Sequence, residues 1–169
     1  MKMPFDDAED IQHWLVCMFG VDDYTPEFIA HSVPTGKEVT SHQWQSAVDL
    51  IYRLVSAGLL ELWPDGMLAG KSDLTFDGPL GFAQELAKQN PFSFEEVNEK
   101  PVPWIGPHLC LTDKAKRLIA KHGMSDPCQD YPLNVAFIEE MEGMFEAAGV
   151  PWSEGPMVPI RSASPSLQG

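Results

Sequence analysis

Two histidine–cysteine pairs are the residues whose types and spacing come nearest to chemistry. His13 and Cys17 stand four apart, so on a helix both side chains reach one side and could share a metal ion. His108 and Cys110 alternate, so on a strand they share a face and could complete a four-ligand set. Two ligands do not make a site, and nothing in the linear order brings the pairs together. They read as structural residues, with a metal-dependent enzyme using His13, Cys17 or His108 as an alternative. The acid pairs Glu95/Glu96 and Glu139/Glu140 invite comparison with a general acid and base. A glycosidase holds its carboxyls on opposite sides of a cleft, whereas adjacent residues diverge, so both pairs read as solvated faces. Asp6, Asp7 and Asp10 lack the loop glycine and terminal glutamate of a calcium hand. Gly-rich phosphate loops, Gly-x-Ser-x-Gly elbows and His-Glu-x-x-His are absent. The expectation is a protein that is not an enzyme and uses no metal or cofactor.

Charge is the stronger signal. The chain of 169 residues carries 11 lysines and arginines against 25 aspartates and glutamates, a formal charge of −14. Near the N-terminus Asp6, Asp7, Glu9, Asp10, Asp22, Asp23 and Glu27 face Lys2 alone, and beyond Gly123 the acids Asp126, Asp130, Glu139, Glu140, Glu142, Glu146 and Glu154 face Arg161 alone. Only Thr112 to His122 reverses sign, with Lys114, Lys116, Arg117 and Lys121 against Asp113. Such a field repels nucleic acid and anionic lipid and speeds encounter with a cationic surface. Cys17, Cys110 and Cys128 cannot all pair within the chain, and their spacing matches no zinc knuckle or Cys-x-x-Cys motif, so reduced thiols are expected. The N-terminus turns acidic where a signal peptide would be cationic and then apolar. No run approaches the roughly 18 apolar residues that a membrane span needs. A cytoplasmic protein with no membrane partner is expected.

These residues need elements to position them, and the 44 % hydrophobic content is enough for a core. Asp6 and Glu9 open a helix whose Ile11, Trp14, Leu15 and Met18 share a face, stopped by Gly20. Thr25-Pro26 caps a short second helix to about His31, broken by Val33 to Gly36. Thr40 or Ser41 caps a third, with Trp44, Ala47, Val48, Ile51, Leu54 and Val55 on one stripe and Ala57-Gly58 at its end. Leu59 to Trp63 reads as a strand, Pro64-Asp65-Gly66 as a turn, and Met67 to Ala69 as the return strand. Leu80 to Lys88 reads as a helix. Pro101 to Pro107 is too proline-rich for a central strand and reads as an ordered loop or edge. Leu109 to Leu111 is a short strand, and Thr112 caps a helix to His122. Leu133, Phe137, Met141, Met144 and Phe145 mark a last helix. The expected organisation is one domain over 1–154 and a flexible tail over 155–169.

Two segments carry a family resemblance. "AVDLIYRLVSAGLLEL" (Ala47 to Leu62) resembles the third helix and following strand of winged-helix domains. "LCLTDKAKRLIAKHG" (Leu109 to Gly123) resembles the strand, Thr cap and closing helix after the wing, with Ala115 where that pattern prefers Gly. The resemblance implies an α+β, mainly helical fold: a winged-helix-like core, drawn from 41–69 and 109–123, with a short antiparallel hairpin and additional helices. The connection from Trp63 to Leu109 is far longer than an ordinary wing and must hold inserted structure. The helix from Ser41 offers Gln43, Gln45, Ser46, Asp49, Tyr52 and Arg53, and one cation cannot anchor a duplex. In size, charge and style the chain also resembles bacterial immunity proteins. That likeness implies binding and neutralising a cognate toxin, a basic effector acting on nucleic acid or nucleotides, by covering its active site. Asp6, Asp7, Asp10, Asp22, Asp23, Glu139, Glu140 and Glu142 are the expected contact acids, with Trp104 and Trp152, which sit beside prolines, as aromatic anchors. A winged-helix-type regulator acting through protein contacts is the alternative.

Overall fold

The structure, a computed structural model, describes residues 1–20, 23–32, 41–69, 71, 74–92, 102–153 and 155–161. Among them are helices α1 (Phe5–Gly20), α2 (Pro26–Ser32) and α3 (Ser41–Ser56), strand β1 (Leu60–Trp63) and a 3-10 turn (Met67–Ala69). Then follow α4 (Gly78–Lys88), the single helical turn α5 (Val102–Ile105), β2 (His108–Leu111), α6 (Asp113–Lys121) and α7 (Val135–Ala147). The expected mainly helical α+β architecture with a small antiparallel sheet is what the chain adopts. Asp22, the break at Val33 to Gly36, the pair Glu95/Glu96 and residues 162–169 lie outside the described residues.

Helix α3 is the central element, packed against α2 and α4. Its apolar stripe, Trp44, Ala47, Val48, Ile51, Leu54 and Val55, is buried throughout. The helix ends where Gly58 takes φ +67° and the Leu59 amide donates back to the Leu54 carbonyl at 2.9 Å. The turn that follows it is completed from far along the chain. The Thr112 hydroxyl donates to the Gly58 carbonyl at 2.7 Å, and Lys114 Nζ donates to the Ala57 carbonyl at 2.6 Å. Thr112 also accepts from the Ala115 amide at 3.2 Å, so one residue caps α6 and closes α3.

The return strand lies elsewhere than the sequence suggests. β1 pairs antiparallel with β2, Leu60 opposite Leu111 and Trp63 opposite His108. Residues 67–69 instead curl, because the amides of Ala69 and Lys71 both donate to the Gly66 carbonyl and Met67 turns into the core. β2 also makes a bridge on its other side, where the amides and carbonyls of Tyr24 and Leu109 exchange hydrogen bonds at 3.1 and 2.7 Å. β2 is therefore bonded on both sides, to β1 along its length and to Tyr24 at one residue.

The proline-rich stretch before β2 is also different. Val102 to Ile105 makes one helical turn, with Pro103 early in it, where its missing N–H is not needed. That turn drives Trp104 into the core. Residues 155–161 are likewise ordered against the body: Val158 is buried and the Arg161 amide donates to the Ala87 carbonyl at 2.9 Å. Residues 155–161, expected to belong to a flexible tail, are thus held to the body by polar bonds. At the other end, buried Gln12 accepts from the Asn134 amide at 2.7 Å and donates to the Pro132 carbonyl at 3.1 Å, fixing α7's entry onto α1.

Candidate partner-binding site

A groove of about 470 Å³ opens between the first turns of α1 and the polar side of α3. Asp7 and Asp10 stand on one wall, Trp14 and Leu50 supply apolar floor, and Arg53 and Trp152 stand opposite. The periodicity of α1 explains the acidic wall. With Ile11, Trp14, Leu15 and Met18 turned inward, Asp6, Asp7, Glu9 and Asp10 are left on the helix's outer arc. Acids there also suit the positive end of the helix dipole. Among the described residues none of these four carboxylates forms an ion pair with a lysine or arginine.

The crowding shows in their acidity. Partial burial, then the charges of Asp7, Asp6 and Glu9 against an opposing His13, push the Asp10 carboxyl from 3.8 up to about 6. Burial also raises Asp7, with Asp6 adding to the rise and His42 opposing it. Such displaced carboxyls favour a neighbouring cation, which would return them to their ordinary range.

Across the groove the chemistry is already spent inward. The Arg53 guanidinium, on a residue only 2 % exposed, lies 4.9 Å from the centre of the Trp152 ring. It also donates to the Pro151 carbonyl and the Ser153 hydroxyl, both at 3.2 Å. Burial lowers its pKa, opposed by Asp49. Burial raises Asp49 in turn, opposed first by the hydrogen bond from the Val158 amide.

The ten expected contact residues separate into groups. Asp7, Asp10 and Trp152 come together at the groove and Asp6 adjoins them. Asp23 lies elsewhere, with an oxygen 2.8 Å from His108 Nδ1 in a close contact that lacks hydrogen-bond alignment. Glu139 holds the N-terminal amine at 2.9 Å, and Glu140 accepts from Lys121 at 2.7 Å and pairs with His122 at 2.9 Å. Those two partners hold the Glu140 carboxyl below its ordinary range.

Two of the ten require correction. Glu142 is only 6 % exposed because it accepts from the Lys2 and Met3 amides at 2.7 and 2.6 Å, bracing the N-terminal segment. Trp104 is 0 % exposed and donates its indole N–H to the Gln89 carbonyl at 2.7 Å and the Leu86 carbonyl at 3.2 Å. It anchors α5 to α4 and cannot reach a partner. Of the residues expected on the outer face of α3, Gln43, Asp49 and Arg53 are buried, while Gln45, Ser46 and Tyr52 are half-buried.

His13 and Cys17 do meet, Nε2 to Sγ at 3.5 Å. His108 turns instead to Asp23 and the Trp63 ring, and among the described residues no three histidine, cysteine or acidic side chains are grouped to hold a metal. No helix among the described residues is long and apolar enough to cross a membrane. The residues that the sequence left unremarked as a set are Gln45, Asp49 and Arg53. Their spacing of four was visible in the sequence; the segment they hold was not. The chain matches no protein-family model, no curated protein and no solved structure.

Proposed function

We propose that this protein is a stoichiometric binder of a cationic protein, acting as bacterial immunity proteins do when they cover the basic cleft of a cognate toxin. The observation that carries this reading is the set Asp6, Asp7, Glu9 and Asp10, without lysine or arginine partners among the described residues, of which Asp7 and Asp10 line a groove with an aromatic rim at Trp152. Unpaired acids raise the rate of encounter with a basic surface, and an aromatic side chain at the edge slows release. The acids of α7 serve the fold and take no direct part. The test is to isolate the protein with its partner from the native cell and titrate the complex with salt. The charge-reversed chain Asp6→Lys, Asp7→Lys, Asp10→Lys, shown to be folded, is compared alongside. A basic partner released by salt and lost on reversal supports the proposal. A complex indifferent to both removes it.

A second reading, a regulator of winged-helix plan that works through protein contacts, has its own support. Chain order runs α1, the Tyr24 bridge, α2, α3, β1 and β2, and β2 is flanked by Tyr24 on one side and β1 on the other. On this reading α4 and α5 occupy the place of a wing between β1 and β2. Because Asp49 and Arg53 are buried and bonded, this reading assigns α3 no duplex to read. Tight, sequence-dependent gel shift at low salt would contradict it.

A further inference from the structure

The groove between α1 and α3 offers one kind of open valence. Asp7 and Asp10 stand three apart on α1, so they are neighbours along its surface, and both are half-buried where they line the wall. The lysine and the arginine that line the groove with them are already engaged. Lys2 Nζ pairs with Glu146, and Arg53 donates to the carbonyls of Pro151 and Asp49 and to the Ser153 hydroxyl. The Asp49 carboxylate is taken as well, by the amides of Met157 and Val158 at 3.1 and 3.0 Å. A ligand therefore meets two carboxylates that have lost part of their water and, among the described residues, have gained no lysine or arginine in exchange.

The rest of the lining suits the body of a long side chain. Buried Trp14 and Leu50 form an apolar floor, and half-buried Trp152 stands opposite the acids. Independently of charge, that opposite wall already seats a guanidinium, since the Arg53 group lies 4.9 Å from the centre of the Trp152 ring. An indole has two faces; Arg53 covers one, and the ring still lines the groove. A second guanidinium is the cation that such a lining favours. It is planar and weakly hydrated, stacks on indoles, and presents a fork of N–H donors that can bridge two neighbouring carboxylates. A lysine ammonium is a compact, strongly hydrated charge and gains less from an aromatic wall. Its volume of about 470 Å³ puts the groove within the range of pockets that enclose small molecules, so one side chain can enter whole.

We propose that the groove is a socket for one arginine side chain of the cationic partner, its guanidinium bridging Asp7 and Asp10 and its stem lying on Trp14 and Leu50 beside Trp152. The socket deepens the partner-binding reading, on which it rests, by committing the contact to arginine over lysine and to one seated side chain over diffuse attraction. Asp6 and Glu9, exposed on the same arc of α1, then act on encounter, while half-buried Asp7 and Asp10 hold what has arrived.

Three end-blocked tripeptides, Gly-Arg-Gly, Gly-Lys-Gly and Gly-citrulline-Gly, titrated into the unaltered chain at physiological salt test the socket by NMR. The indole N–H signals of Trp14 and Trp152 are the readout, with exposed Trp63 as the reference. The arginine peptide is expected to shift both signals saturably with a Kd on the order of 1–10 mM, and to bind at least about threefold more tightly than the lysine peptide. The neutral citrulline peptide should leave both signals in place. Asp7→Asn with Asp10→Asn should abolish the shifts, whereas Asp6→Asn with Glu9→Gln should keep the Kd within about twofold. No shift from the arginine peptide, a lysine peptide that binds within the threefold margin, or shifts that survive Asp7→Asn with Asp10→Asn would overturn the socket and leave the partner-binding reading standing. A native complex indifferent to salt and to charge reversal removes that reading, and the socket with it.

Discussion

Asp10 shows how one carboxylate reports on both stability and binding. Its carboxyl is raised from 3.8 to about 6 by burial and by Asp7, Asp6 and Glu9, so between those values the folded state holds a proton that the unfolded chain has released. Stability from this group therefore falls as pH rises through that window and is level above it. Asp10→Asn is expected to raise Tm at pH 7 and flatten the slope of Tm between pH 4 and 6. Solvent screening keeps the gain small, on the order of 2 °C. A cation docked beside Asp10 has the opposite linkage: it favours the ionised form, so affinity for a basic partner should weaken as pH falls through about 6. Calorimetry of the complex in that range would read the proton release. Trp104 and Trp152 separate structure from contact at the same scale. Trp104→Ala should cost about 3–5 kcal/mol in chemical denaturation, through the cavity it leaves and two carbonyls it no longer serves. Trp152→Ala should weaken the partner complex instead.

At the scale of elements, side chains from distant positions finish what local sequence begins. Thr112→Ala removes a helix cap and the hydrogen bond to the Gly58 carbonyl together, so a loss of about 1–2 kcal/mol is expected from urea unfolding. Glu142→Ala leaves the Lys2 and Met3 amides without their acceptor and should cost about 1–3 kcal/mol, with faster exchange at both amides. Helices α3 and α6 were legible because cap, stripe and terminal glycine are all local signals. The partner of β1 was not: Leu60 and Leu62 alternate equally well against any strand, and pairing with His108 to Leu111 is a contact between positions far apart in the chain. Trp104 was misplaced for a related reason. A tryptophan between prolines looks the same in a loop and in one helical turn aimed at the core. The groove was half visible, since Asp6, Asp7 and Asp10 announce an acidic wall, while the opposite wall depends on α3 meeting Trp152 across the fold.

At the scale of the whole molecule, the charge of −14 divides into acids that the fold consumes and acids that it leaves over. The α7 carboxylates bind the N-terminal amine, Lys121, His122 and two backbone amides, whereas Asp7 and Asp10 of α1's first turns line the groove. Salt should therefore weaken a partner complex steeply while barely changing Tm. The body itself is built around a shared point: the Trp44 and Trp104 indoles both donate to the Leu86 carbonyl, at 3.0 and 3.2 Å. That junction gives the molecule two classes of chromophore. Trp44 and Trp104, and with them buried Trp14, are expected to emit to the blue and resist acrylamide, while Trp63, 54 % exposed, and Trp152 on the groove rim are expected to emit to the red and to be quenched. Blue emission thus gauges whether α1, α3, α4 and α5 hold together, and the part of the red emission lost in Trp152→Phe gauges what has settled over the groove.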